Sequence, residues 1–165
     1  MPTYASVVAR FDPLRLAPAD AERAADRIAR DEPPILEENG RLIEIPTEYT
    51  GPDLAETAER SHLSVVELIS LHAGREYRAF FLGFLPGFAY CGTLDPRIVA
   101  PRLDRPRERV PAGSVAIADG QTSVYPFESP GGWRLIGRTD VRLFDPSRNP
   151  FVLIRAGDRV RFIAR

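Results

Sequence analysis

The sequence contains no lysine, so all 22 of its strong cations are arginine. A phosphate loop built on Gly-Lys-Ser/Thr is thereby excluded, as are a Schiff-base lysine and a lysine carrying biotin or a lipoyl group. Cysteine is nearly absent too: the single Cys91 forbids an internal disulfide and suits the cytoplasm. The two histidines, His62 and His72, do not have the spacing that places two ligands on one helical turn, so no metal site is expected. No apolar run approaches the roughly 20 residues that span a bilayer. The opening MPTYASVVARFDP lacks the basic stretch and apolar core of a signal peptide. Neither sign of charge is in excess, and a net charge of −1 gives no general pull towards nucleic acid or an anionic membrane.

What is present reads as a globular chain, 44% apolar and 27% charged, long enough to bury a core without staples. Tyr4–Phe11 predicts a short strand, followed by a turn at Asp12-Pro13. A helix then opens at Pro18 with Ala21, Ala24, Ala25 and Ile28 on one stripe, and Pro33-Pro34 ends it. That stripe buries too little to stand alone, so residues 1–40 are separated from a main domain over 41–165. Arg41–Pro46 predicts the first strand of that domain, and Gly51-Pro52 the start of a helix carrying Leu54, Ala55 and Ala58. Ser64 and Glu67 form a capping box between Leu63 and Leu68, which predicts a helix over 65–72. From Tyr77 onward short apolar runs alternate with Gly/Pro turns: RAFFLGF, SVAIA, TSVYPF, WRLIGR, VRLF, FVLIR and DRVRFIA. Many short strands at regular spacing predict a mainly β fold, α+β overall, of the sandwich or barrel kind.

Three stretches are dense in residues that packing alone does not require. The first runs from Gly83 through Phe84, Pro86, Gly87 and Phe88 to Tyr90, joining flexible backbone to flat aromatic faces on which a small ring or a partner could stack. A tight turn with core aromatics would read the same way. The second alternates arginine and proline over Pro101-Arg102 and Pro106-Arg107-Glu108-Arg109-Val110-Pro111, then Gly113-Ser114. Its stiffened guanidinium forks suit a carboxylate or phosphate, and Arg109 is the candidate. The third joins Gln121-Thr122 and Tyr125 to Ser129-Pro130-Gly131-Gly132-Trp133, where a Gly pair leaves backbone amides open to an anion. Ser114 and Ser129 lack a G-x-S-x-G context, which disfavours a hydrolase triad. His72, at a helix end, and Tyr125 are the candidate proton donors.

These stretches, in this order, occur with Gly51-Pro52-Asp53-Leu54, Leu71-His72, Gly137-Arg138-Thr139, Leu143-Phe144-Asp145-Pro146 and Ala156-Gly157-Asp158-Arg159-Val160. Together they resemble the KipI / allophanate hydrolase subunit 1 family, which has a carboxyltransferase domain and includes the B subunit of 5-oxoprolinase, a histidine-kinase inhibitor and a segment of urea carboxylase. Tyr4–Ala29 resembles the end of the family's N-terminal α+β domain, here shortened. Ala89, Cys91, Thr93 and Ser123 depart from the usual residues without removing a polar group assigned to chemistry. The resemblance implies a cyclophilin-like β-barrel with a truncated N-terminal α+β segment. It also implies a polypeptide that works with a homologous C subunit and an A subunit to open 5-oxoproline to glutamate, with ATP used by the complex and no metal or biotin on this chain. The alternatives are a regulator docking on a sensor histidine kinase and an allophanate hydrolase or urea carboxylase component.

Overall fold

The computed structural model describes residues 11–30 and 40–165, and the chain divides into two units between Gly40 and Arg41. In the first unit, helix α1 (Pro18–Arg30) begins at the proline that favours a first turn. Asp20 lies at its positive end, and Arg27 and Arg30 at its negative end. Ile28, expected on a buried stripe, is exposed. The strand expected over Tyr4–Phe11 lies outside the described residues except for Phe11, which has no regular structure, and the stop at Pro33-Pro34 lies outside them altogether.

The second unit opens with strand β1 (Leu42–Thr47), whose Ile45 and Thr47 point inward with the two-residue period of a half-buried strand. Two helices follow, α2 (Leu54–Arg60) and α3 (Val65–Ala73). At α3 the capping box closes both ways: the Glu67 amide donates to Ser64 Oγ, and the Ser64 amide donates to Glu67 Oε2. The remaining strands are β2 (Glu76–Leu82), β3 (Ala89–Gly92), β4 (Arg107–Val110), β5 (Ser114–Ala118), β6 (Gln121–Val124), β7 (Ser129–Gly131), β8 (Arg134–Arg138) and β9 (Arg159–Ala164).

Seven strands form one sheet in the order β1-β9-β2-β3-β6-β5-β8, and β4 and β7 form a separate two-stranded ribbon. β1 and β9 run parallel, while the other pairings are antiparallel. Just beyond β1, Glu48 bridges Arg138 at the end of β8, so the two edges of the sheet meet and the barrel nearly closes. Of the sandwich and barrel that the strand spacing leaves open, this is the barrel, as the family resemblance implies. Two of the expected strands are absent. VRLF and FVLIR meet only in an isolated bridge between Phe144 and Val152. Between them Asp145 Oδ1 accepts from the amide and hydroxyl of Ser147, which tightens a turn in place of a ladder.

Strand β5 is buried at all five positions because it serves two cores. Val115 and Ile117 join the main cluster with Ile45, Leu68 and Phe162. Ala116 and Ala118, on the opposite face, join a second cluster of Phe88, Val110, Tyr125, Trp133 and Leu135. That second cluster lies against the β4–β7 ribbon and forms the floor of the candidate site.

Candidate functional site

The loop joining β2 to β3 is built by its glycines and proline. The Leu85 amide donates to the Gly83 carbonyl, a three-residue turn that holds Phe84 at φ 68. The Phe88 amide then donates to the Leu85 carbonyl, with Pro86 second in the turn and Gly87 third at φ 83, as a type II turn requires. A large side chain rarely takes positive φ, and this strain presents Phe84 at the surface, 59% exposed. Phe88, by contrast, goes straight into the second core.

Phe84, Phe88, Tyr90, Tyr125 and Trp133 form a continuous edge-to-face network with ring centroids 4.9–6.3 Å apart. They line a pocket of about 250 Å³, completed by Pro106, Arg102 and the Pro130-Gly131-Gly132 backbone. The floor leaves no room for a side chain at Gly131, where a Cβ would fall 2.3 Å from Tyr125 Oη. Burial pushes the Tyr125 hydroxyl above its ordinary pKa, with the nearby Trp133 backbone opposing it only in part. The phenol is therefore neutral and has a proton to donate. Burial also raises Tyr90.

A second, larger cleft of about 510 Å³ has an entirely separate lining, which includes Gly51, Arg107, Arg109, Pro111, Ser114, Arg138 and Thr139. Arg107 and Asp53 meet at 2.6 Å, and Asp53 also accepts from the Leu135 amide at 2.6 Å. Asp53 stands at the N-cap of α2 but makes no side-chain cap bond, because its carboxylate is committed to this pair. Gly113, at φ 80, turns the chain where a Cβ would strike the Thr139 carbonyl.

The residues expected from the sequence separate into these two places and the core. Phe84, Phe88, Tyr90, Tyr125, Pro130, Gly131, Gly132 and Trp133 converge on the aromatic pocket. Pro86 and Gly87 line a shallow groove beside it. Pro111 and Ser114 lie in the larger cleft with Arg109, whose exposed guanidinium pairs with Glu128 at 2.7 Å, outside the aromatic lining. His72 lines neither space. It is fully buried, its Nδ1 2.7 Å from Tyr49 Oη and its Nε2 2.8 Å from Thr122 Oγ1, and burial lowers its pKa to about 3. Thr122 donates onward to the Ala116 carbonyl, so the imidazole donates through Nε2 and accepts from Tyr49. A core relay with every proton committed replaces the expected proton donor. Gln121 and Ser129 are likewise buried, outside both linings, each with one polar side-chain atom lacking a partner. Burial pushes the Cys91 thiol up to about 12, as befits an inert core residue.

On sequence grounds Arg102 and Arg107 rank below Arg109, and Pro106, Arg138 and Thr139 are not singled out as site residues. The one local signal is the Pro-Arg spacing, which does not say which arginine is buried. Among the described residues no group of His, Cys, Asp and Glu could hold a metal ion, and no helix is long and apolar enough to cross a membrane.

Comparison with known proteins places this arrangement in a family. A family model described as carboxyltransferase domain, subdomain C and D, matches residues 1–154. The B subunit of 5-oxoprolinase from Bacillus subtilis is 47% identical over 154 residues, covering 92% of this chain and 62% of that protein. Its counterpart of the same name from Escherichia coli O157:H7 is 48% identical over 145 residues, covering 85% and 66%. The chain thus spans just under two thirds of the length of these relatives. The crystal structure of the conserved uncharacterized protein PH0987 from Pyrococcus horikoshii superposes with a TM-score of 0.73 at 46% identity, over 94% of this chain and 72% of that one. The shared fold is the cyclophilin-like barrel expected above. By sequence and fold alike, this chain belongs to the family of the carboxyltransferase domain, subdomain C and D.

Proposed function

We propose that the chain carries the barrel of the B subunit of a 5-oxoprolinase, which acts with A and C subunits to couple ATP hydrolysis to opening of the 5-oxoproline lactam, yielding L-glutamate. The observation that carries this reading is the aromatic pocket, whose size and flat walls suit a small five-membered ring, in a chain 47% identical to a protein of that name. Phe84, Phe88 and Trp133 cover the ring and exclude water. The Tyr125 hydroxyl donates to the lactam carbonyl, and the open backbone at Gly131-Gly132 lets the substrate approach closely. ATP is handled mainly by groups on another polypeptide, consistent with the absence of lysine here. The C subunit seats on the edge of the aromatic pocket, where Phe84 is exposed, and the complex works in the cytoplasm.

The test is to assemble the chain with its C and A partners and measure glutamate formed from 5-oxoproline and ATP. Activity should require all three. Tyr125→Phe, which leaves the ring in place, should lower kcat by about a hundred-fold, the usual scale for losing one preorganised donor. Full turnover by this chain alone, or an unchanged kcat in the assembled variant, would overturn the reading.

A further inference from the structure

We infer that the cleft between β4 and the end of β8 is a binding site for a phosphoryl-type dianion, gripped by Arg107. This goes beyond the reading above, since the cleft shares no lining residue with the aromatic pocket. Pro106 and Arg107 are neighbours in sequence yet line different spaces, as successive residues of an extended chain do. The ribbon therefore separates an apolar ring site from a basic cleft.

Three arginines line the cleft, Arg107, Arg109 and Arg138, against one carboxylate, Asp140. The pairs that Arg109 makes with Glu128, and Arg138 with Glu48 and Asp140, are exposed, and those of Arg138 are long at 3.5 and 3.3 Å. Such pairs are worth little in water and exchange readily for a better anion. Arg107 is different. Its Nη2 is anchored by Asp53, which is only 5% exposed and itself held by the Leu135 amide, a single contact about which the guanidinium can pivot. Its Nη1 is buried and has no hydrogen-bond partner among the described residues. An unmet guanidinium donor is costly, and in a native fold it calls for a missing acceptor. Nη1 is covered by protein atoms here, so an anion meets it as the guanidinium turns towards the cleft that the residue already lines.

The hydroxyls support the same polarity. Thr139 Oγ1 accepts from the Val141 amide and keeps its proton to donate, whereas Ser114 spends its proton on the Pro111 carbonyl. One arginine fork saturates a carboxylate, while several forks and a hydroxyl suit a group with more acceptor oxygens.

Inorganic phosphate titrated into the whole chain at low ionic strength, followed by calorimetry, tests this without substrate or partner polypeptides. The result is therefore independent of whether the oxoprolinase reading stands. Saturable binding at one site is expected. Arg107→Gln should weaken it by at least about ten-fold, the loss of one charge-assisted hydrogen bond. Arg142→Gln, which removes an exposed arginine outside the cleft, should change it less than about two-fold. Should Arg107→Gln fail to fold with Asp53 left unpaired, Arg107→Lys keeps the charge pair, loses the fork and should weaken phosphate in the same direction. No saturable binding, equal losses in the Arg107 and Arg142 variants, or acetate binding as tightly as phosphate would each overturn the proposal.

Discussion

The residue that shows most clearly how environment decides chemistry is His72. An ordinary imidazole gains a proton near pH 6.5, but this one stays neutral down to about pH 3 because its site admits no charge. The unfolded chain therefore binds a proton through that window while the folded chain does not. The stability this histidine supports is fully present above pH 6.5. It is lost progressively as the pH drops from 6.5 towards 3. Urea denaturation at several pH values measures it. His72→Phe should be less stable at pH 7, because Tyr49 and Thr122 lose their partner, yet should show a shallower decline on acidification. Equal slopes in the two proteins would refute the assignment. The sequence shows a histidine at a helix end and no more. That Tyr49 and Thr122 enclose it follows from contacts 23 and 50 residues away, which no local pattern encodes.

Elements with local signals were legible, and those assembled from distant partners were not. Helix α3 was readable because Ser64 and Glu67 carry its start within four residues. Ser64→Ala should cost about 1 kcal/mol, read as a lower denaturation midpoint with an unchanged m-value. Strand β5 was equally plain as an apolar run between turn residues. The β4–β7 ribbon was invisible for the opposite reason. Its strands are four and three residues long, β7 contains Pro130 and Gly131, and Arg107 pairs with Gly131 across a shifted register. The aromatic half of the site was therefore legible from composition. The division between pocket and cleft was not, since it depends on where that ribbon lies.

At the scale of the barrel, closure rests on a narrow seam. Glu48 and Arg138 exchange backbone hydrogen bonds of 2.9 and 2.8 Å, and Gly137 sits beneath them, where a Cβ would come 2.6 Å from the Glu48 carbonyl. Gly137→Val should push the edges apart and lower stability by about 1–3 kcal/mol, the range for forced overpacking. Thermal unfolding measures the loss, and an unchanged melting temperature would show that the seam is not needed. Because Arg138 and Thr139 line the basic cleft next to this seam, the same variant should loosen that cleft before it disturbs the aromatic pocket.

β9 lies between β1 and β2, with Arg159 opposite both Leu42 and Arg78. Residues made more than eighty positions later are thus the immediate neighbours of β1 and β2. A nascent polypeptide emerging from the ribosome holds β1 and β2 without their common partner until translation has passed Ala164. For most of that interval two strand edges stand open to pairing with other molecules, and only β9 closes them.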